Sequence, residues 1–391
     1  MHDGRYVFYQ LTSSLSRYEF QKCVAAYHGD HYVKSFPCWQ QFLCLCFGQL
    51  TFRESLRSVV LCLNAHPKKL YHIGLPGASV DRTTLSRANN QRNWRIYQSF
   101  GYHLIAKARK LYCDDTPFLD DLDGACYALD ATTIDLCLSV FQWAHFREHK
   151  GAVKLHALLD LKGNIPAFIH ITDGTVHEVN ILDKLMIEPG ACYIMDRGYV
   201  DYQRLYAIHQ AKAFFIIRAK QNLGFARMYS HRVDKAVGIR CDQTIRLTGY
   251  YAARDYPEKL RRVKYHDSET NNTYVFLTNN FGWPAKLVAE LYQQRWQIEL
   301  FFKWIKGHLK VKVFWGQSEN AVKTQIWVAV CAYVMVALIK KELQIDRSMY
   351  EILQILSITP FEKTPLNTLL FEFGLHGFEG HDQKQLSLLN F

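Results

Sequence analysis

Ala191-Cys192-Tyr193-Ile194-Met195-Asp196 is an apolar, strand-like run that ends in an acid. A second run of the same kind, Cys126-Tyr127-Ala128-Leu129-Asp130, stands upstream. After Asp196, residues Tyr202 to Gln210 have helical spacing and Phe214 to Arg218 is again strand-like. Strand, helix and strand in that order predict a βαβ crossover. Between the two acid-ended runs, Val153 to Leu161 and Ile165 to Ile171 are β-rich, and Lys162-Gly163-Asn164 separates them as a hairpin turn. Val179 to Ile187 is helix-like. The middle of the chain therefore reads as a mixed α/β sheet, with antiparallel hairpins first and crossovers after.

On the N-terminal side, residues 5 to about 115 read as helical. Thr51-Phe52-Arg53-Glu54 fits a capping box, and Leu56, Val59, Val60 and Leu63 follow at helical spacing. Gly74-Leu75-Pro76-Gly77 makes a loop, then Ser79 to Arg87 forms a short polar and basic helical stretch, and Trp94 to Leu111 a longer helix. Helix, loop and short basic helix fit a helix-turn-helix that reads a DNA groove. They fit an ordinary small helical bundle equally well. On the C-terminal side, residues 222 to 282 alternate short strand-like runs, such as Gln243 to Tyr250 and Thr273 to Thr278, with polar turns. After Pro284 a long helical pattern runs past Lys306, helices continue to about residue 356, and the remainder is loop-like.

These breaks suggest five segments. They are a helical N-terminal domain read as DNA-binding (1–118), the first part of the sheet domain (119–221), a β-rich insertion (222–283), a long helix with C-terminal helices (284–356), and a tail (357–391). The 391 residues include 47 Lys and Arg against 36 Asp and Glu, a formal net charge of +11, which favours a polyanionic partner. Hydrophobic residues make up 49%, which excludes a disordered chain. The N-terminus lacks a basic patch followed by an apolar run, so no signal peptide is expected. Ile326 to Ile339 is nearly all apolar but shorter than the roughly 18 residues of a membrane span, and reads as a buried core helix. The 11 cysteines, scattered through apolar runs with no Cys-x-x-Cys pair, read as reduced core thiols. A cytoplasmic protein without membrane contact is expected.

One acid at a strand end is unremarkable; two, followed by an acid on a patterned helix, are more specific. That helix holds Tyr292, Arg295, Glu299 and Lys306. At about 100° per residue the four fall within roughly 60° of one another, so one face offers a carboxylate beside a phenol, a guanidinium and an ammonium. Read alone, Arg295 and Glu299 could equally be an i,i+4 surface ion pair contributing about 0.3–0.5 kcal/mol.

The spacing Tyr292-x2-Arg295-x3-Glu299-x6-Lys306 resembles the C-terminal signature of insertion-sequence transposases of the IS-four family. Asp196-Arg197-Gly198-Tyr199 is similar to that family's second-aspartate motif, and Leu129-Asp130-Ala131-Thr132-Thr133 to its first. The resemblance implies an RNase H-like catalytic core and a cut-and-paste DNA transposase with catalytic and metal-binding Asp130, Asp196 and Glu299. It also implies DNA-phosphate contacts from Tyr292, Arg295 and Lys306. Three clustered carboxylates repel one another. Mg²⁺, or Mn²⁺, suits an oxygen-only site, and two ions would let Asp130 bridge while Asp196 and Glu299 each complete one side. The partners implied are double-stranded DNA, as terminal inverted repeats and target, and a second protomer on that DNA, near the bacterial nucleoid. A nuclease of the same fold that only cleaves, and a DNA-binding repressor with an idle triad, are the competing readings. Lys303, Lys306, Lys310 and Lys312 interleave with Trp304, Phe314 and Trp315 in a pattern that suits a nucleic-acid groove. Asp135, Asp160, Asp173, His156, His177 and Trp283 are read as structural.

Overall fold

The computed structural model describes residues 4–75, 77, 79–113, 124–147, 150–308 and 314–371. Seven helices come first: α1 (Val7–Ser13), α2 (Arg17–Ala26), α3 (Cys38–Leu50), α4 (Leu56–Asn64), α5 (Pro67–Leu70), α6 (Arg82–Gln91) and α7 (Arg95–Leu111). The capping box predicted at Thr51 lies elsewhere. The Thr51 hydroxyl donates back to the Phe47 carbonyl at 2.7 Å and so closes α3. Ser55 caps α4 instead, in a reciprocal exchange with Ser58. The link from α4 to α6 contains α5 and a 3₁₀ turn, Tyr71–Ile73, so the short turn of a strict helix-turn-helix is not formed.

The sheet begins with β1 (Cys126–Leu136), β2 (His145–Arg147), β3 (Lys150–Asp160) and β4 (Ile165–Asp173). The β3–β4 turn places Gly163 at φ 81° and Asn164 at φ 56°, the left-handed conformations that tight hairpins need and that these two residue types tolerate best. Then come β5 (Cys192–Met195), α8 (Tyr202–Gln210) and β6 (Phe214–Arg218), the crossover read from the sequence. β5 is parallel to β1 and β6 is parallel to β5. The order β4-β3-β1-β5-β6, antiparallel on one side and parallel on the other, is that of an RNase H-like sheet. The helix-like Val179 to Ile187 is instead a 3₁₀ turn, Glu178–Lys184.

The β-rich stretch after β6 holds β7 (Phe225–Ser230), β8 (Ile239–Leu247), α9 (Tyr250–Asp255), β9 (Leu260–Asp267) and β10 (Asn272–Thr278). It lengthens the main sheet, because β10 pairs antiparallel with β6 and β9, β8 and β7 follow outward. A buried, bidentate ion pair joins its strands: Arg261 donates to Asp242 at 2.9 and 2.7 Å. Arg261 also donates to the carbonyls of Asn280 and Trp283, which lead into the next helix.

The chain ends its described part with α10 (Ala285–Gln293), α11 (Trp296–His308), α12 (Glu319–Glu342), α13 (Met349–Ile358) and α14 (Leu366–Leu370). The last of these falls in a stretch read as loop. α12 contains the apolar run Ile326 to Ile339 and is, with 24 residues, long and apolar enough to cross a membrane by length and composition. Here it is a core helix: 94% of its most apolar window is buried. It packs on α7, where Gly101 lets the Trp327 ring approach; a Cβ at Gly101 would lie 2.9 Å from that ring. All eleven cysteines are free thiols, and six of them are buried.

Candidate active site

The last paired residues of the parallel strands β1 and β5 are Leu129 and Met195. The next residue in each case is an acid, Asp130 within β1 and Asp196 just past the end of β5. Equal register in parallel strands sends equivalent side chains to the same face. The two carboxylates therefore leave the sheet side by side, at the carboxyl end of the parallel pairing. One expectation changes. β1 does not end at Asp130 but runs on to Leu136, because β3 continues to pair with it after β5 has stopped. Each acid is also oriented by backbone: Asp130 accepts from the Ala131 N–H and Asp196 from the Gly198 N–H, both at 2.8 Å.

The single helix predicted from Pro284 past Lys306 is two helices. Between α10 and α11 the backbone tightens: Arg295 N–H donates to Tyr292, Gln297 to Gln294 and Ile298 to Arg295, each at 3.1 Å. Gln and Arg are good helix formers, so local propensity does not call for the break. It accompanies a tertiary contact. Arg295 reaches the sheet and donates through Nη1 to Asp130 at 3.0 Å, and through Nη2 to Glu299. The face computed for one straight helix is thus replaced by direct contacts. Tyr292 packs on Phe276 with ring centroids 4.6 Å apart, and the Arg295 guanidinium lies 5.9 Å from the Tyr292 ring centre. Glu299 is exposed, and Lys306, two turns along α11, is partly buried.

Burial pushes the Asp130 carboxyl up to about 6; the Ala131 N–H and Arg295 oppose this, and the neighbouring Asp196 and Glu178 add to it. A carboxyl raised in the fold stabilises it fully below the unfolded pKa, near 3.8, and loses that contribution as pH rises through about 6. The loss is on the order of 3 kcal/mol at neutral pH. His156 works in the opposite sense. Its imidazole is pulled down to about 4, first by burial, so its contribution is present above about 6.5 and lost as pH falls through about 4. Comparison with Asp130→Asn separates the two. The wild type should lose stability relative to this variant as pH rises from 4 to 7, measured as unfolding midpoints in urea; parallel curves would show that Asp130 ionises normally.

Two further side chains belong to this cluster. Tyr199 is fully buried and its hydroxyl has no hydrogen-bond partner. Burial raises its phenol far above the ordinary range, with Asp130, Glu178 and Asp196 adding to the effect. Its position in Asp196-Arg197-Gly198-Tyr199 was a usable signal. Glu178, 3.7 Å from the Lys154 ammonium, carried none. Of the residues read as structural, Asp160 pairs with Arg109 at 3.0 Å, His156 bonds Thr172 at 2.9 Å while its Nδ1 is buried without a hydrogen-bond partner, and the Trp283 ring packs on Phe214. Of the proposed groove residues, Trp304 packs against Tyr333 in the core and Lys303 is exposed, while Lys310 and Lys312 lie outside the described residues.

Among the described residues, no group of three or more His, Cys, Asp and Glu side chains is close enough to hold a metal ion. Asp130 and Glu299 are linked instead through the Arg295 guanidinium. The donor set is all oxygen and carries a buried acid with a raised pKa, so its chemistry fits a hard divalent cation.

Residues 122–335 match the family model of the transposase DDE domain, and the chain belongs to that family. The family implies use of a divalent metal ion. Residues 3–76 match a domain of unknown function, DUF4372. A Sinorhizobium fredii protein named as a transposase is 37% identical over 211 residues, 53% of this chain and 58% of the relative. A Geobacillus stearothermophilus protein named as the transposase of insertion sequence element IS5377 is 30% identical over 53% of this chain and 54% of its own length. The chain thus spans little more than half the length of these two relatives. A Synechocystis protein named for insertion sequence element IS4SA is 23% identical over 74% of this chain and 81% of the relative. A solved piggyBac transposase synaptic complex with hairpin DNA aligns at a TM-score of 0.37 and 10% identity, covering 86% of each chain.

Proposed function

We propose that this chain is an insertion-sequence transposase of the IS-four kind, cleaving phosphodiesters at the element's ends and joining them to target DNA. The observation that carries the reading is the pair Asp130 and Asp196, each directly after the last paired residue of two parallel strands, with Glu299 tied to Asp130 by one arginine. Asp130, Asp196 and Glu299 would hold two Mg²⁺ or Mn²⁺ ions. Held by these three carboxylates, divalent cations would supply Lewis-acid activation of a water or 3′-hydroxyl and charge stabilisation of the leaving oxygen.

The chain's own side chains do the rest. Arg295 pairs with both Asp130 and Glu299. On DNA its planar fork turns to a phosphate beside the scissile bond, where Tyr292 donates a hydrogen bond and Lys306 supplies a point charge. The helical segment 1–118 carries DNA recognition, and two protomers hold the two ends.

The decisive test incubates the protein with duplexes bearing the terminal repeats and flanks, with Mg²⁺ or Mn²⁺, and sizes the products. Cleaved ends and joined products are expected. No cleavage with either ion would overturn the reading, and cleavage without joined products would favour a nuclease. Lys306→Ala should weaken binding to all sequences alike and lower the salt slope by about one counterion. Arg295→Lys should cost more in single-turnover cleavage than in affinity, because an ammonium cannot align a phosphate as a fork does. A variant that cleaves like wild type would leave Arg295 with ion pairing alone.

A further inference from the structure

α6 stands as a ridge between two clefts. The first, about 550 Å³, opens towards α4 and is walled by Arg57, Arg82, Arg87 and Trp315. The second, about 640 Å³, opens on the other flank and is walled by Lys34, Arg87 and Arg92. No Asp or Glu lines either cleft. Arg87 and Gln91 line both, which places them on the crest. Leu85, Ala88 and Asn89 face the core, leaving Thr83, Arg87, Asn90 and Gln91 exposed along the crest. Arg57, Arg82 and Lys34 are exposed as well.

Clefts lined by arginines and free of acids, with hydrogen-bonding side chains along the crest between them, suit a polyanion, although the exposed Asp81 caps the start of α6. The shape selects which one. The major groove of B-DNA, about 12 Å wide, admits one α-helix, and the two sugar-phosphate strands then pass on either side of it. Two basic clefts flanking one exposed polar helix supply that arrangement without the short turn of a helix-turn-helix. The first cleft also connects to the candidate active site through the chain. Its wall residues Phe314 and Trp315 follow α11, which carries Glu299 and Lys306.

We propose that α6 enters the major groove of the element's end DNA, with Arg87 reading base edges from the crest and Arg57 and Lys34 holding the phosphate strands in the two clefts. The inference rests on the transposase reading and assigns the face that recognises the end. The test uses the full chain and two duplexes of equal length, one bearing the terminal repeats and one with those repeats scrambled. Binding is followed by fluorescence anisotropy across a salt series. Arg57→Ala and Lys34→Ala should weaken binding to both duplexes equally and each lower the salt slope by about one. Arg87→Ala should weaken binding to the end duplex about 5- to 150-fold and change the scrambled one far less, so that preference between them collapses. Thermal melts matching wild type would establish that these exposed substitutions leave the fold intact. If wild type prefers the end duplex and the variants bind as it does, the α6 assignment is wrong and the transposase reading stands. If Arg87→Ala weakens both duplexes equally, Arg87 does not read bases and the groove placement falls. If wild type binds neither duplex, the transposase reading falls together with the inference.

Discussion

Asp130→Asn and Asp196→Asn are each expected to slow cleavage of end DNA on the order of 10³-fold while leaving binding of the same duplex within about twofold. The amide keeps the shape of the carboxylate and removes the charge that would hold a divalent cation. The two positions should be equally severe, because neither is peripheral: they are neighbours, within β1 and just past the end of β5, and each is already oriented by a backbone N–H. Glu299→Gln should have the same effect on cleavage, although Glu299 is the most exposed of the three. The readout is single-turnover cleavage beside equilibrium binding. Wild-type cleavage by any one variant would remove that residue from the site.

The second large effect is on stability and lies away from the chemistry. Arg261 and Asp242 have side chains only 6% and 8% exposed. Removing one partner leaves the other buried and charged, so Arg261→Ala or Asp242→Ala should cost about 3–5 kcal/mol. Replacing both with apolar residues, as in Asp242→Leu with Arg261→Met, should recover much of that loss. The exposed i,i+4 pair Lys286–Glu290, at 3.3 Å, provides the contrast, with an expected loss of about 0.3–0.5 kcal/mol. Unfolding midpoints of the four variants test this. A loss at Arg261 as small as that at Lys286 would show that the buried pair is not what secures the sheet extension. The Arg261 variant should also impair cleavage, because Arg261 holds the carbonyls of Asn280 and Trp283 at the entrance to α10 and Arg295.

What could be read from the sequence followed from local pattern. Tyr202–Gln210 and Phe214–Arg218 are found with the bounds that their periodicity suggests, and Lys162-Gly163-Asn164 forms the turn that its residue types favour. What could not be read depended on partners distant in the chain. The β10 run looks like a strand from its own residues, but nothing in it says that it joins β6 and so makes the insertion part of the main sheet. The break at Gln294–Arg295 has no breaker residue; it goes with the reach of Arg295 to a strand 165 positions upstream. Thr51 had the residues of a cap but was already used to close α3. At the candidate site, the pairing of Asp130 with Asp196 after matching apolar runs was legible, whereas the continuation of β1 past Asp130 and the break between α10 and α11 were not. Glu178 was not, because a lone acid opening a 3₁₀ turn looks like any other.

α12 fills the middle of the helical unit that begins the chain, and α1 is held there by residues from much later, with Val7 N–H donating to the Glu362 carbonyl at 2.8 Å and Phe8 N–H to Pro360 at 3.1 Å. The order of synthesis then conflicts with the order of assembly. At about 5–20 residues per second, roughly 15 to 70 seconds separate the emergence of α1 from that of the end of α12. Throughout that interval the apolar faces of α3 and α7 have no permanent cover, so the nascent chain is expected to engage a holding chaperone. Messages cut short before α12 would leave the N-terminal helices without the helix they pack on, and that unit could be completed only once nearly the whole described chain has left the ribosome.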